Sequence, residues 1–145
     1  MKLYFDHLNL SVAHLAESEL WYKNHFAFEK VESGTYGSSP WSILRNEQSM
    51  IALYEEKELR RADDSNDKNP QHKAQHRIYH FGIQVSDKVE WLLKLKTFKT
   101  QVTHQTEYPH STSWYVLDPS GHEIEVSHWP EGLKFNGSKS INTTG

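Results

Sequence analysis

The sequence predicts an α+β fold of two βαβββ modules. Three observations predict it. Two short segments of the same form open the two halves of the chain, "HLNLSV" from His7 and "HFGIQV" from His80. A helix-period stretch and then three strand-like runs follow each of them. The two halves also share a spacing: Glu125 lies 45 residues after His80, and the same step from His7 reaches Ala52.

Both opening segments read His, apolar, small or polar, apolar, polar, Val, the period of a strand with two different faces. In the first half "LAESELWYKNHFAF" follows, with Leu15, Tyr22 and Phe26 at helical spacing. Strands are then expected near "FEKVES", "WSILRN" and "SMIALYE". In the second half "DKVEWLLKLKTF" predicts a helix capped by Ser86 or Asp87, with Val89, Leu92 and Leu93 on its apolar face. Strands are expected near "KTQVTHQT", "SWYVLD" and "HEIEVSH", with "DPSG" (Asp118 to Gly121) as the turn before the last. Residues 1–130 thus read as one domain, with module 1 at about 1–60 and module 2 at about 78–130. A charged linker broken by Pro70 occupies about 57–77, and 131–145 form a polar tail.

Composition narrows the chemistry. The chain of 145 residues contains no cysteine, so disulfides and thiolate metal sites are excluded, while ten histidines leave an imidazole–carboxylate site open. The net charge of −3 and the dispersed Lys and Arg argue against nucleic-acid binding. No segment approaches the length of an apolar membrane span, and "MKLYFDHLNL" does not read as a signal peptide, so a cytoplasmic location is expected.

If the polar faces of both opening strands look into one concavity, His7 and His80 converge there, with Glu125 on the inward face of the last strand. Two imidazoles and a carboxylate are a facial ligand set that leaves positions open for water or substrate. Asn9 and Gly82 are small enough to leave room beside them. Singly, each of these residues is more often an ordinary strand residue than a ligand, and the argument rests on their registration in two copies. His14, His25, His72 and His76 fall in helix or linker and are expected to be solvated. His122 differs from Glu125 in parity and should face away. Trp41, Trp114 and Trp129 read as packing residues.

Together, "FDHLNLSVAHLAESELWYKNHFAFE", "HFGIQV" and "SWYVLDPSGHEIEV" resemble the vicinal oxygen chelate superfamily, which includes glyoxalase I, extradiol dioxygenases, fosfomycin-modifying thiol transferases and bleomycin-binding proteins. The resemblance runs to about Trp129, and "YVLDPSGHEIE" is its most specific part. It implies that the mixed sheets of the two modules curl to form a metal-site cavity, and it implies a homodimer, a small-molecule substrate and one divalent ion per site (Zn, Ni, Mn, Fe or Mg) on His7, His80 and Glu125. It also implies Tyr115 and His110 as candidate catalytic groups, and Asn9, Ser113 and Tyr115 as candidate substrate contacts. Departures from the members' patterns are informative. Glyoxalase I carries a fourth ligand, a Glu, where this chain has Ala52, and Glu55 has the wrong parity to replace it. The run from Tyr115 to Glu125 matches the dioxygenase pattern, but His110 is closer to Tyr115 than that pattern expects. Ser113 and Tyr115 match the Ser-x-Tyr of the fosfomycin enzymes, yet no Lys or Arg lies between Lys99 and Lys134 to hold a phosphonate. The implied function is a metal-dependent enzyme with lyase, dioxygenase and thiol-transfer chemistry all open. The alternative is a metal-free antibiotic-binding protein of the bleomycin-resistance type.

Overall fold

A computed structural model describes residues 1, 4–47, 49–56, 78 and 80–132. The expected linker and nearly all of the expected tail, with His72 and His76, lie outside the described residues. The elements run β1 (Leu8–Val12), α1 (Leu15–Phe26), β2 (Glu29–Tyr36), β3 (Ser39–Arg45), β4 (Met50–Glu55), β5 (Phe81–Val85), α2 (Lys88–Thr97), β6 (Val102–Tyr108), β7 (Ser111–Leu117) and β8 (Glu123–His128). This is βαβββ twice, as the repeat predicts. Each module forms one four-stranded mixed sheet, β1-β4-β3-β2 and β5-β8-β7-β6, and neither sheet closes into a barrel. The described chain divides into two compact units, one on each module, with the turn Asp118–Gly121 belonging to the first.

The duplication reaches the register. In the first unit Leu8 pairs with Ile51 in parallel, and in the second Phe81 pairs with Ile124, the same offset along the chain. Both β2–β3 and β6–β7 carry a register shift at the equivalent place, between Lys30 and Glu32 and between Val102 and His104. Such bulges bend a strand and re-aim its side chains.

In the first unit Leu10, Val12, Leu44, Ile51 and Leu53 are buried on one face of the sheet, as strand alternation requires. Helix α1 buries Ser18, Tyr22, His25 and Phe26, a stripe at helical spacing. Its N-terminus has no side-chain cap from His14. Instead the carboxylate of Glu55 accepts from the Leu15 N–H at 2.9 Å, so Glu55 turns toward the helix. The helix ends at Ala27, which takes the left-handed conformation (φ 55°) and donates to the Lys23 carbonyl at 3.0 Å. The turn that begins "DPSG" is fastened into this unit. The buried Tyr22 hydroxyl donates to Asp118 at 2.9 Å, and Ser120 Oγ accepts from the Ala13 N–H at 2.9 Å. Gly121 (φ 88°) closes the turn by donating to the Asp118 carbonyl.

Two sequence expectations are corrected here. His25 is not solvated: it is 4% exposed, stacked on Trp21 at 4.2 Å, and its Nδ1–H donates to the Trp21 carbonyl at 2.9 Å. Helix α2, capped by Asp87 through the Glu90 N–H, buries Trp91 and Leu95. Val89, Leu92 and Leu93, expected to face inward, are exposed. The sequence puts apolar residues on both sides of this helix, and the indole brings the larger apolar area inward. Lys88 stands over the ring of Trp114, at 5.6 Å from its centroid, so the start of α2 lies over the apolar face of the second sheet. Trp114, Val116, Ile124 and Val126 are buried on that face.

Candidate metal centre

The other face of the second sheet carries the polar residues. Strand registers line up Gly82, Glu125, Tyr115 and His104 as one row across all four strands. His80 stands just before β5 with the parity of Gly82, so it belongs to the same face. Its Nε2 approaches Glu125 Oε2 at 3.0 Å, and its Nδ1 lies 3.7 Å from Glu123 Oε1. The second oxygen of Glu125 accepts from the Ser113 hydroxyl at 2.7 Å. Ser113 is 2% exposed, which excludes water from competing for that bond. The glycine at 82 is not demanded by packing, because an added Cβ would meet only the Glu125 backbone oxygen at 3.9 Å, an ordinary contact.

Tyr115 sits within this cluster. Its ring meets His80 edge-on at 5.5 Å, and the His104 imidazole lies flat on it at 3.8 Å and 12°. Burial, and then the charge of Glu125 and the neighbouring Tyr108, push its hydroxyl up to about 12. Tyr115 is therefore a neutral hydrogen-bond donor at ordinary pH, beside the Glu125 carboxylate and Tyr108.

His7 and Asn9 belong to the first unit. His7 precedes β1, and its Nδ1 is held by Asp6 at 2.6 Å, which leaves Nε2 as the nitrogen that can face a ligand. Asn9 pairs with Ala52, and Ala52 with Ile43. These occupy the row positions that Gly82, Glu125 and Tyr115 fill in the second unit. Of the titratable groups in the second row, the first unit repeats only the histidine that precedes its strand and an acid, Glu32, at the place of His104. Ile43, Ala52 and the stacked pair Trp41–Tyr54 make its surface largely apolar and aromatic.

His110 lies in the β6–β7 turn. Its ring stacks on Trp129 at 4.7 Å and near Tyr108 at 6.1 Å. The histidine against Tyr115 is His104, which the sequence reading passed over. A signal existed: pairing Tyr108 with Ser111 across a two-residue turn and counting back sets residue 104 opposite 115. Glu123 shares the parity of Glu125 and could have been found the same way. Asp6, adjacent to His7, carried no such signal.

The donor set suits a hard or borderline divalent ion. Two ligand atoms in neighbouring positions of an octahedral ion, each ~2.1 Å away, stand ~3.0 Å apart, as His80 Nε2 and Glu125 Oε2 do. His7 holds its Nδ1 on a carboxylate, the arrangement that fixes the tautomer of metal-binding imidazoles, while Glu123 stands farther from His80 Nδ1, at 3.7 Å. Among the described residues no group of three or more His, Asp or Glu side chains is gathered closely enough to hold an ion.

The profile of the glyoxalase/bleomycin resistance protein/dioxygenase superfamily matches residues 4–126. The chain belongs to this superfamily. Solved structures agree with it in fold. A glyoxalase/bleomycin resistance protein/dioxygenase domain from Frankia sp. EAN1pec superposes with a TM-score of 0.69 at 16% identity, over 92% of this chain and 96% of that one. A glutamate-to-glutamine mutant of the fosfomycin resistance protein FosX of Listeria monocytogenes, solved with Mn(II) and 1S,2S-dihydroxypropylphosphonic acid, gives 0.68 at 19% identity over 89% and 94%. Lactoylglutathione lyase from Agrobacterium tumefaciens gives 0.62 at 26% identity over 90% and 97%. A comparison with functionally curated proteins gave no match. No described helix is long and apolar enough to cross a membrane.

Proposed function

We propose that this superfamily member is a divalent-metal-dependent enzyme acting on a small substrate that presents two neighbouring oxygens. His80 and Glu125 are its principal ligands, and the two-copy registration makes His7 the third. The observation that carries the reading is the 3.0 Å approach of His80 Nε2 to Glu125 Oε2, with the other carboxylate oxygen fixed by Ser113. A bound divalent ion would supply Lewis acidity toward the substrate oxygens. Ser113 orients the carboxylate. The neutral Tyr115 hydroxyl offers a hydrogen bond, or a proton, to an oxygen gaining negative charge. His104, flat against that ring, restrains it. Tyr115 thus carries the stronger case as a catalytic group, and His110 is retained as a second candidate bordering the substrate. Asn9 would meet the substrate from the first unit.

Ala52 stands where a fourth carboxylate ligand would, which favours a three-ligand centre with open positions over the glyoxalase I ligand set. A vicinal diol bound with Mn(II) in FosX is the kind of ligand such a centre takes. The same reading makes the protein a cytoplasmic homodimer without nucleic-acid or membrane partners.

Elemental analysis and metal titration test it. Chelator-stripped protein should take up one Mn(II) or Zn(II) per chain, and His80→Ala should lose it. Full stoichiometry in His80→Ala, or no uptake by the native chain, refutes the assignment.

A further inference from the structure

The face of the second sheet that carries the candidate centre continues beyond it. One pleat repeat along from Glu125, the registers align Gln84, Ser127, Ser113 and Thr106 as a row across all four strands. Ser113 is committed to Glu125. Gln84 is exposed, and Thr106 and Ser127 are half-buried. One repeat further stand Tyr108, paired with Ser111, and Trp129, which follows β8 with the parity of Ser127. The His110 ring joins these two, stacked at 4.7 Å on Trp129 and lying 6.1 Å from Tyr108. Tyr108 is 47% exposed, which leaves ring surface for a ligand.

Two observations separate this stretch from an ordinary solvated strand face. Charged residues make up 24% of the chain, yet neither row contains one. A face shaped only by solvation draws on Lys and Glu. Nor does the fold ask for hydroxyls here. The matching row of the first sheet is Ser11, Tyr54, Trp41 and Gly34. There the Trp41 indole takes the space over Gly34, where an added Cβ would come within 2.8 Å of it.

We infer that the substrate of the centre carries a neutral, polyhydroxylated portion of sugar-like chemistry, which lies along Gln84, Ser127 and Thr106 with a C–H face against Tyr108. This rests on the proposed metal centre, which sets where the two neighbouring oxygens sit. Hydroxyl and amide side chains both donate and accept, as the hydroxyls of such a ligand do, so each contact can be satisfied in either direction. Same-face neighbours on a strand are about 7 Å apart, so a ring attached beside the chelated oxygens falls on the hydroxyl row, and the aromatic rings begin about 14 Å from Glu125. A carboxylate or phosphate on these rows would find no Lys or Arg to pair with, and Glu123 and Glu125 would repel it.

Heteronuclear NMR titration of the full chain tests it, with D-glucose as the neutral probe and D-glucuronate as its anionic counterpart, in Zn(II) and in EDTA. D-glucose should move the backbone amides of Gln84, Thr106 and Ser127 in both samples and bind at least about fivefold more tightly than D-glucuronate. Ser127→Ala removes one hydroxyl, and Tyr108→Leu replaces an exposed ring; each should raise the D-glucose Kd about fivefold with the fold unchanged by far-UV circular dichroism. Gln84→Lys, at an exposed site, should turn the preference toward D-glucuronate. Unmoved amides, equal binding of the two probes, or an unchanged Kd in both Ser127→Ala and Tyr108→Leu would overturn the inference. Metal uptake by the same samples separates it from the metal reading. A chain that takes up metal and leaves these amides unmoved overturns the polyol row alone. A chain that binds D-glucose at these residues and takes up no metal overturns the metal centre and keeps the row as a sugar site.

Discussion

Glu125→Gln separates a metal ligand from a structural carboxylate. The amide keeps the shape of the side chain and can still accept from Ser113, but it loses the negative charge. Glu125 meets Ser113 at 2.7 Å and His80 at 3.0 Å. A hydrogen bond to a charged group contributes roughly 1.5–3 kcal/mol and a neutral one roughly 0.5–1.5, so about 1 kcal/mol is lost per contact. The side chain is 25% exposed, and solvent screens part of this. The metal-free variant should therefore be less stable by about 1–3 kcal/mol. The metal-bound comparison is larger. At a thousandfold excess of metal over Kd, a native-state ligand adds about 4 kcal/mol, or roughly 12 °C at about 3 °C per kcal/mol for a chain of this length. Thermal melts in Mn(II) and in EDTA read both effects. The native protein should melt roughly 12 °C higher with metal, and the variant should lose most of that difference. If the variant keeps the full metal-induced shift, Glu125 does not bind the ion, and its bonds to Ser113 and His80 serve the fold alone.

Two further outcomes follow from buried groups. Tyr22→Phe removes the buried hydroxyl that donates to Asp118, and it should cost about 1.5–3 kcal/mol with metal uptake unchanged; an unaltered melting temperature in denaturant-free buffer would mean that the turn is held by Ser120 and the backbone instead. Tyr115 holds its proton up to about 12, against 10.0 for the ordinary group. In this range the folded chain binds more protons than the unfolded one, so the stabilisation is complete below pH ~10 and fades as pH rises toward ~12. Denaturant melts across that range should show a steeper decline for the native protein than for Tyr115→Phe, and equal slopes would contradict the protected hydroxyl.

Much of the fold was legible because strand alternation and the internal repeat are local signals. The opening strands and the turn at Asp118–Gly121 follow from period two and from Pro and Gly placement. The nearness of His80 and Glu125 followed from parity, because side chains two apart on neighbouring strands share a face. Ala52 in the slot of Glu125 was readable from spacing alone, and the register confirms the equivalence.

The tertiary structure decided what local signals leave degenerate. Helix α2 is apolar on two sides, and only the folded chain, by burying Trp91, chose which side went inward. His25 is polar enough for solvent, yet Trp21 offers it both a stacking face and a carbonyl, so it is buried. His104 reaches Tyr115 through the hairpin pairing of β6 with β7, a register that a reading of each strand alone does not contain. Asp6 is an exposed carboxylate beside His7 in the chain, and only the folded backbone brings it onto the His7 Nδ1. Periodicity fixes which face a residue occupies, whereas the choice between equivalent faces and partners is made by the free energy of packing the whole chain.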